Sequence, residues 1–433
     1  MTLSNSKSLH ETAIAVESSH GNAETTPIYY MLCEEGSGRI ETSRDFDRYK
    51  SAAKNRTTLS IAKAYKPTVS LNSWGFYTEN ATGYLITAAL GTDSPTTPTG
   101  ASTARLHTMT LGDDLPSYTI WDKTSVTEQE ISGAKCNTLS ISCPQDGPVS
   151  LSTAFMGTQV NTVTTFGDAT YISEADINEP ITSSQNSITY GVESGNITDL
   201  TFDIDNSINH DEGIVQGGKY PATVIVGTDR KVSGSFDAWD ETGENLLAYW
   251  EGTTSSPTAT TPAERPGYVS LQCTWTGSQI EKTVGDATLT TGDGLDDATS
   301  GGTFTGTDAD TYVVTIASAD SPNTFTWTLN GGAASDPVSI DGEAQTLSQG
   351  VTITFADTSG HTATDAWTII CYQFDTYMDI SVPSMQITGV TASDSDNRSK
   401  YTVNWEAIKS SATPITILLQ NIETVNYGTH AGS

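Results

Sequence analysis

The chain reads as an all-β protein, and three observations carry that reading. Hydrophobic residues make up 36% and charged residues only 17% of its 433 residues, with Thr, Ser and Gly filling the gap. Val and Ile alternate with Thr and Ser in short runs, the two-residue period of half-buried strands. Clusters of Gly, Pro, Asn and Asp punctuate those runs as turns.

A chain of this length exceeds what one hydrophobic core usually spans, so two or more domains are expected. Residues 1–38 are polar and poorly patterned and read as an N-terminal arm. In WGFYTENATGYLITAALGTDS (74–94) a short helix is expected over residues 83–90, stopped by Gly91. The loop SPTTPTGAST follows. From residue 106 to 161 the segments LHTMTL, SYTIWD, AKCNTLSISC and PVSLSTAFMG alternate as antiparallel strands do. DLTFDID and TVIVGTDRKVSGSFDAWD add strands, ENLLAYWEG is a compact helical piece, and GYVSLQCTWTG returns to strand.

Composition breaks near residue 285, where GDATLTTGDGLDDATSGG is rich in glycine and aspartate. Behind it TYVVTIA, NTFTWTL, VTITFA and AWTIICY come with a turn about every ten residues, the spacing of a β-sandwich. After residue 374, strands like those before the break resume. A domain over 285–372 inserted into a discontinuous parent, 39–284 with 373–433, fits this pattern.

The formal net charge is −32, which argues against nucleic-acid binding by counterion release. Between residues 283 and 397 there are sixteen Asp and Glu and no Lys or Arg, while eight of the twenty basic residues fall between 39 and 66. A basic segment docking on an acidic surface, such as that of another copy, would explain the asymmetry. No apolar run approaches the roughly 20 residues of a membrane span. The first twenty residues lack the basic start and apolar stretch of a secretion signal, so a soluble protein made in a cytoplasm is expected.

Candidate chemistry is sparse. DIDNSINHDEGI (203–214) places Asp203, Asp205 and Ser207 at alternate positions, like a calcium loop, but Ile208 and Ile214 stand where glycine and a bidentate acid are required. Alternation there fits a strand burying Leu200, Phe202 and Ile204 and wetting Thr201, Asp203 and Asp205. DGLDDATSGG lacks the repeat of calcium-binding β-rolls and reads as a linker. GxSxG, HExxH and P-loop signatures do not occur, and His107 and His361 read as structural. The five cysteines are widely spaced, which predicts buried free thiols and no metal site or disulfide framework. Trp121, Trp239, Trp250, Trp275, Trp327, Trp367 and Trp405, in or beside strands or the short helical piece, are expected in the core. Neither a catalytic residue, a metal nor a cofactor is predicted.

Several stretches, in order, resemble the tail tube (major tail) proteins of long, non-contractile-tailed bacteriophages. They are TENATGYLITAALGTDS, LHTMTLGDDLPSYTIWDKT, ISGAKCNTLSISCPQDGPVSLSTAFMGTQ, LTFDIDNSINHDEGIVQGGKYPATVIVGTDRKVSGSF and TPITILLQN. The match covers roughly residues 40–280 and 375–425. Residues 290–372 resemble an immunoglobulin-like module recurrent in phage virion proteins. The inserted module is large and the arm has no counterpart in the family pattern.

The resemblance implies a tail-tube-type β-sandwich or barrel with a short helix, carrying an outer immunoglobulin-like sandwich. It implies a structural virion protein whose hexameric rings stack into a tube around a tape-measure protein, with tail terminator and distal tail proteins as further partners. DNA would pass through unbound, and assembly would take place in the host bacterial cytoplasm. Within that frame Thr201, Asp203 and Asp205 are expected to face the lumen. Arg39, Arg44, Arg48, Lys50, Lys54 and Arg56 are expected to contact a neighbouring subunit. A bacterial surface adhesin or carbohydrate-binding β-protein is the alternative, and a glycan-degrading tail enzyme a third reading.

Overall fold

The computed structural model describes residues 11–25, 29–34, 37–50, 57–77, 80–124, 128–162, 180–190, 193–194, 197–239, 268–395, 398–408 and 413–429. The expected helical piece ENLLAYWEG lies outside them. Within them the chain is nearly all strand, and one α-helix, Asn80–Leu90, interrupts it. No helix among the described residues is long and apolar enough to cross a membrane.

Two antiparallel layers share the main core. In the first, Thr57–Trp74, Ser150–Met156, Glu128–Cys143, Ile197–Asp205, Lys231–Trp239, Arg398–Ala407 and the end of Ala366–Ser395 lie side by side. In the second, Asn186–Tyr190, Tyr268–Val284, the middle of Ala366–Ser395, Thr416–Asn421, Arg105–Leu111 and Gly91–Thr96 do so. Alternate residues point inward, so Leu71, Leu139, Phe202, Phe236, Trp275 and Trp405 are all buried in one cluster. Phe202 meets Trp405 edge-on at 5.6 Å, a favoured aromatic geometry.

The helix is buried over residues 81–90, with Thr82 and Thr87 its only polar side chains there, as a helix enclosed on every side must be largely apolar. It starts three residues earlier than the sequence predicts. Gly83 reads as a helix boundary but lies inside the helix, because the Tyr427 ring presses on it: an added Cβ would stand 2.3 Å from that ring. Gly91, at φ +107°, turns the chain directly into the next strand.

Part of the expected N-terminal arm is a core strand. Glu11–Val16 pairs with Tyr118–Lys123 on one side and Tyr29–Met31 on the other, with residues 12–16 buried. Ala, Ile and Val at 13–16 leave no polar alternation to read, which hid the strand in the sequence. Glu17 follows it and accepts the Gly133 N–H at 2.6 Å, where φ is +61° and the strand Glu128–Cys143 passes from one set of partners to another. Burial pushes the Glu17 carboxyl up, and the Gly133 and Gly21 N–H groups oppose the shift.

A second cluster occupies residues 298–371. Asp310–Ser318 and Thr324–Leu329 pair with each other, the former also with residues 366–371, opposite the small sheet of Ala298–Gly302, Val351–Phe355 and Gln345–Thr346. Trp367 is at its centre, with Phe355 edge-on at 5.3 Å. The two clusters are joined by one ribbon, Tyr268–Val284 against Ala366–Ser395, paired from Tyr268↔Gln386 to Val284↔Cys371.

The loop after Gly91–Thr96 grips that ribbon. The Glu281 carboxylate accepts N–H bonds from Ser102, Thr103 and Ala104 at 2.9–3.0 Å and the Ser102 hydroxyl at 2.5 Å. Thr283 Oγ1 donates to the Gly100 carbonyl at 2.6 Å, and Gly100 lies against the Tyr372 ring. Partial burial would raise the Glu281 carboxyl, but the Ala104 N–H, the Ser102 hydroxyl and the Thr103 N–H outweigh it and hold the group at about 2, below its ordinary 4.5. A carboxyl so depressed stabilises the fold above its ordinary value and loses that effect as pH falls from 4.5 toward 2. Acid titration monitored by intrinsic fluorescence therefore destabilises the wild-type chain across that window more steeply than Glu281→Gln. Equal pH slopes for the two proteins would show that the carboxylate is not held this way.

Candidate functional site

The outward face of the first layer is its most distinctive surface. Apolar residues of Ile197–Asp205 point into the core, so Thr201, Asp203 and Asp205 point away from it, half-buried to exposed, as alternation predicts. Strand register continues the same polar character sideways. One cross-strand row runs Asn72, Ser152, Ser140, Asp203, Ser233, Glu406, Gln386 across seven strands. The next runs Ser142, Thr201, Ser235, Asn404.

These short side chains bond to each other across strands. Ser140 donates to Asp203 at 2.5 Å, Ser152 to Asn72 at 2.7 Å and Thr402 to Asp237 at 2.6 Å, while Thr201 and Ser235 share a bond of 3.0 Å. Lys400 is neutralised between Asp237, at 2.6 Å, and Asp199. The result is a hydroxyl-rich face with a few carboxylates, the exposed Lys231 opposite Asp205, and no large apolar residue in either row. Such a surface can stay hydrated and repel an anion, but it positions no nucleophile and no general acid.

The stretch DIDNSINHDEGI has a structural role beyond its strand. Past Asp205, whose Oδ1 accepts the Ser207 N–H at 2.8 Å, the buried Asn206 turns inward. Its amide donates to the carbonyls of Ala89, at 3.0 Å, and Cys136, at 2.8 Å, and its Oδ1 accepts Arg230 Nε at 2.7 Å. Arg230 also donates to the Gly112, Ala89 and Leu90 carbonyls. Asn206 and Arg230 thus satisfy the last carbonyls of the helix, which a buried C-terminus would otherwise leave without partners. Neither residue stood out in the sequence, because an Asn in a turn and an Arg before a strand are both ordinary there.

The histidines are structural too. His107 is buried between Asp93 Oδ2, at 2.9 Å, and the Glu423 carbonyl, at 3.0 Å, while Asp93 also accepts the Tyr427 N–H. His361 lies between Asn323 Oδ1 and Asp297 Oδ1, both at 2.9 Å. Two of the three acids of DGLDDATSGG are occupied likewise: Asp296 accepts the Trp367 indole N–H at 3.0 Å, and Asp297 accepts the Asp357 N–H. Trp121, Trp275, Trp367 and Trp405 are buried as expected, Trp327 is half-buried, and Trp250 lies outside the described residues.

The basic segment forms a hairpin, Ile40–Lys50 with Thr57–Trp74, whose outer part has no further strand beside it among the described residues: Ser150–Met156 covers only residues 68–74. Phe46 and Ile61 are 50% and 58% exposed on it. Arg39 is exposed. Arg44 is turned back on its own ribbon, 4.4 Å above the Tyr65 ring and donating to the Lys63 carbonyl at 2.7 Å. Arg48 and Lys50 are placed only as strand backbone opposite Ser60 and Thr57. Lys54 and Arg56 lie outside the described residues.

Two measurements check this picture. Removing the helix-capping guanidinium in Arg230→Ala leaves buried carbonyls unpaired and lowers unfolding free energy by about 1–3 kcal/mol, read by urea titration. An unchanged midpoint would mean the helix end is satisfied otherwise. Burial raises the Cys136, Cys143 and Cys273 thiols and puts Cys371 at about 11, whereas Cys33 is only half-buried. Native iodoacetamide labelling followed by peptide mapping therefore gives one early adduct, on Cys33, and the rest only after denaturation.

Compared with known families, residues 67–299, more than half of the chain, match the family described as phage tail tube protein. No curated protein matches the chain.

Proposed function

The chain belongs to the phage tail tube protein family, and from that membership we propose that its copies close into hexameric rings that stack into the tube of a long, non-contractile tail. It is a structural component of the virion tail and not an enzyme. The seven-stranded polar face carries the finer reading. A conduit for DNA must not hold DNA, and this face offers hydroxyls, amides and carboxylates, with Lys400 paired to Asp237 and Lys231 directly across from Asp205. We place Thr201, Asp203 and Asp205 on the lumen wall for that reason.

The rest of the assembly follows from the same reading. Closing the strands of successive subunits into one barrel removes exposed sheet edges. The hairpin at residues 40–66, with its apolar Phe46 and Ile61 and exposed Arg39, engages the acidic surface of a neighbouring subunit. The unit over 285–372 is an immunoglobulin-like domain on the outer wall, inserted in a tube domain of 39–284 and 373–433. Tape-measure, terminator and distal tail proteins act on the tube, and its assembly takes place in the host cytoplasm.

Electron microscopy of the concentrated protein tests the assembly: stacked six-fold rings are expected, and a field of monomers under all conditions would overturn it. The lumen assignment has its own test. Ser152→Lys with Ser233→Lys puts cations on the face, and each phosphate they engage adds a salt-dependent attraction, so DNA ejection slows by roughly tenfold or more at low salt while tubes still form. Unchanged ejection from intact tubes would move this face off the lumen.

A further inference from the structure

The hairpin of Ile40–Lys50 with Thr57–Trp74 has little of its own to hold its direction. On the tip side of residue 68 no third strand lies beside it among the described residues, and a two-stranded ribbon alone is marginal. Phe46 and Ile61 stay exposed, so they do not pin it to the body either.

One loop reaches across to it. Residues 206–230 leave the strand Ile197–Asp205 and return to Lys231–Trp239, and the two legs of the loop are fastened to each other. Asn206 Oδ1 accepts Arg230 Nε at 2.7 Å at the base, and the Gly227 N–H donates to the Asn206 carbonyl at 3.1 Å. Farther out the Ala222 N–H donates to the Gly213 carbonyl at 2.8 Å. The legs approach so closely there that a Cβ added at Gly213 would collide with the Thr223 carbonyl oxygen. Ile208 and Val224 seat the loop on Leu115 in a small apolar cluster of their own. A loop closed at its ends, bonded across its legs and packed by its own side chains is a compact strut.

This strut meets the base of the hairpin at adjacent residues. Tyr220 stacks on Tyr65 with ring centroids 5.3 Å apart, and the Tyr65 N–H donates to the Lys219 carbonyl at 2.8 Å. Lys66 Nζ lies 2.8 Å from Asp211 Oδ1. The buried His210 donates from Nε2 to the Gly157 carbonyl at 3.1 Å, and the Gly157 N–H donates to the Pro67 carbonyl at 3.1 Å. Arg44 completes the joint from the other hairpin strand, 4.4 Å above the Tyr65 ring and donating to its hydroxyl at 3.1 Å. Each tie is weak alone, since an exposed ion pair or a single aromatic pair contributes little. Together, on residues 65–67, they leave the ribbon one direction.

We propose that the loop 206–230 is a bracket that sets the direction of the hairpin before it meets a neighbouring subunit. The inference rests on the reading of the hairpin as the docking arm. An arm that swings on its base loses conformational freedom when it docks, and an arm fixed in advance avoids that cost. The foot of the bracket is the Asn206 and Arg230 pair that satisfies the last carbonyls of the helix, so arm and core helix turn as one body. Arg44 then serves the joint within its own chain.

Amide hydrogen exchange on the unassembled full chain tests the bracket. In Tyr220→Ala, residues 59–66 are expected to exchange about tenfold faster than in the wild type, while the strand Ile197–Asp205 and the helix keep their protection. Tyr220→Phe retains the stacked ring and wild-type exchange. Asp211→Asn, an exposed change, loosens the same segment to a smaller extent and serves alone if Tyr220→Ala does not fold. Tube formation is then followed against protein concentration, and the loosened variants are expected to need about tenfold more protein. Unchanged hairpin exchange in both variants overturns the proposal, as does an equal rise in exchange across the whole chain. A loosened hairpin that assembles at the wild-type concentration overturns it as well. A wild-type chain that forms no tubes under any condition strikes the ring and tube reading instead, and exchange on the free chain still decides whether the loop is a bracket.

Discussion

One antiparallel ribbon sets the geometry of the whole molecule. Tyr268–Val284 and Ala366–Ser395 stay paired from the main core into the second cluster, and the longer strand supplies buried residues to both. Met378, Ile380 and Val382 belong to one core, and Trp367, Ile369 and Cys371 to the other. Between them no flexible tether is interposed. The Glu281 carboxylate, fastened to three consecutive backbone N–H groups, adds a brace at that crossing and ties it to the hairpin loop at 99–104. A second unit attached by two hydrogen-bonded strands and a brace holds its direction far better than one on a loop.

The same layer serves two opposite chemical demands because strands alternate. Inward, Phe202, Ile204, Phe236 and Trp405 pack in a dense apolar layer. Outward, the same strands offer serines, threonines, amides and carboxylates that satisfy one another sideways. A surface whose polar groups are already bonded across strands gains little by binding a passing chain. The apolar and the polar residues that alternate along these strands are therefore two sides of one sheet.

Much of this was legible in the residues. The strands from 106 to 161 and from 200 to 205 were readable because half-buried strands keep a strict period of two. Residues 12–16 were not, because a strand buried on both faces has no alternation to show. The helix was visible, but its start was misplaced by Gly83, whose missing side chain answers to Tyr427, more than three hundred residues away. Asn206 and Arg230 escaped notice for a similar reason: their partners are carbonyls of a helix remote in sequence, and no local pattern records them. Of the surfaces, the polar strand face could be anticipated at Thr201, Asp203 and Asp205, while its extension to seven strands depends on register that only the fold supplies.

The fit of Tyr427 over Gly83 also bears on the order in which the molecule can be completed. The helix near residue 85 is roofed by the last strand's continuation: Asn421 donates to the Tyr77 carbonyl, Tyr427 packs on the helix, and His107 holds the Glu423 carbonyl. A chain emerging from the ribosome N-terminus first cannot close this core until residue 427 has been made, more than three hundred residues after the helix. The helix therefore waits for its roof while the strands of both layers are synthesised. A protein built to polymerise is spared the risk of doing so before that roof is in place.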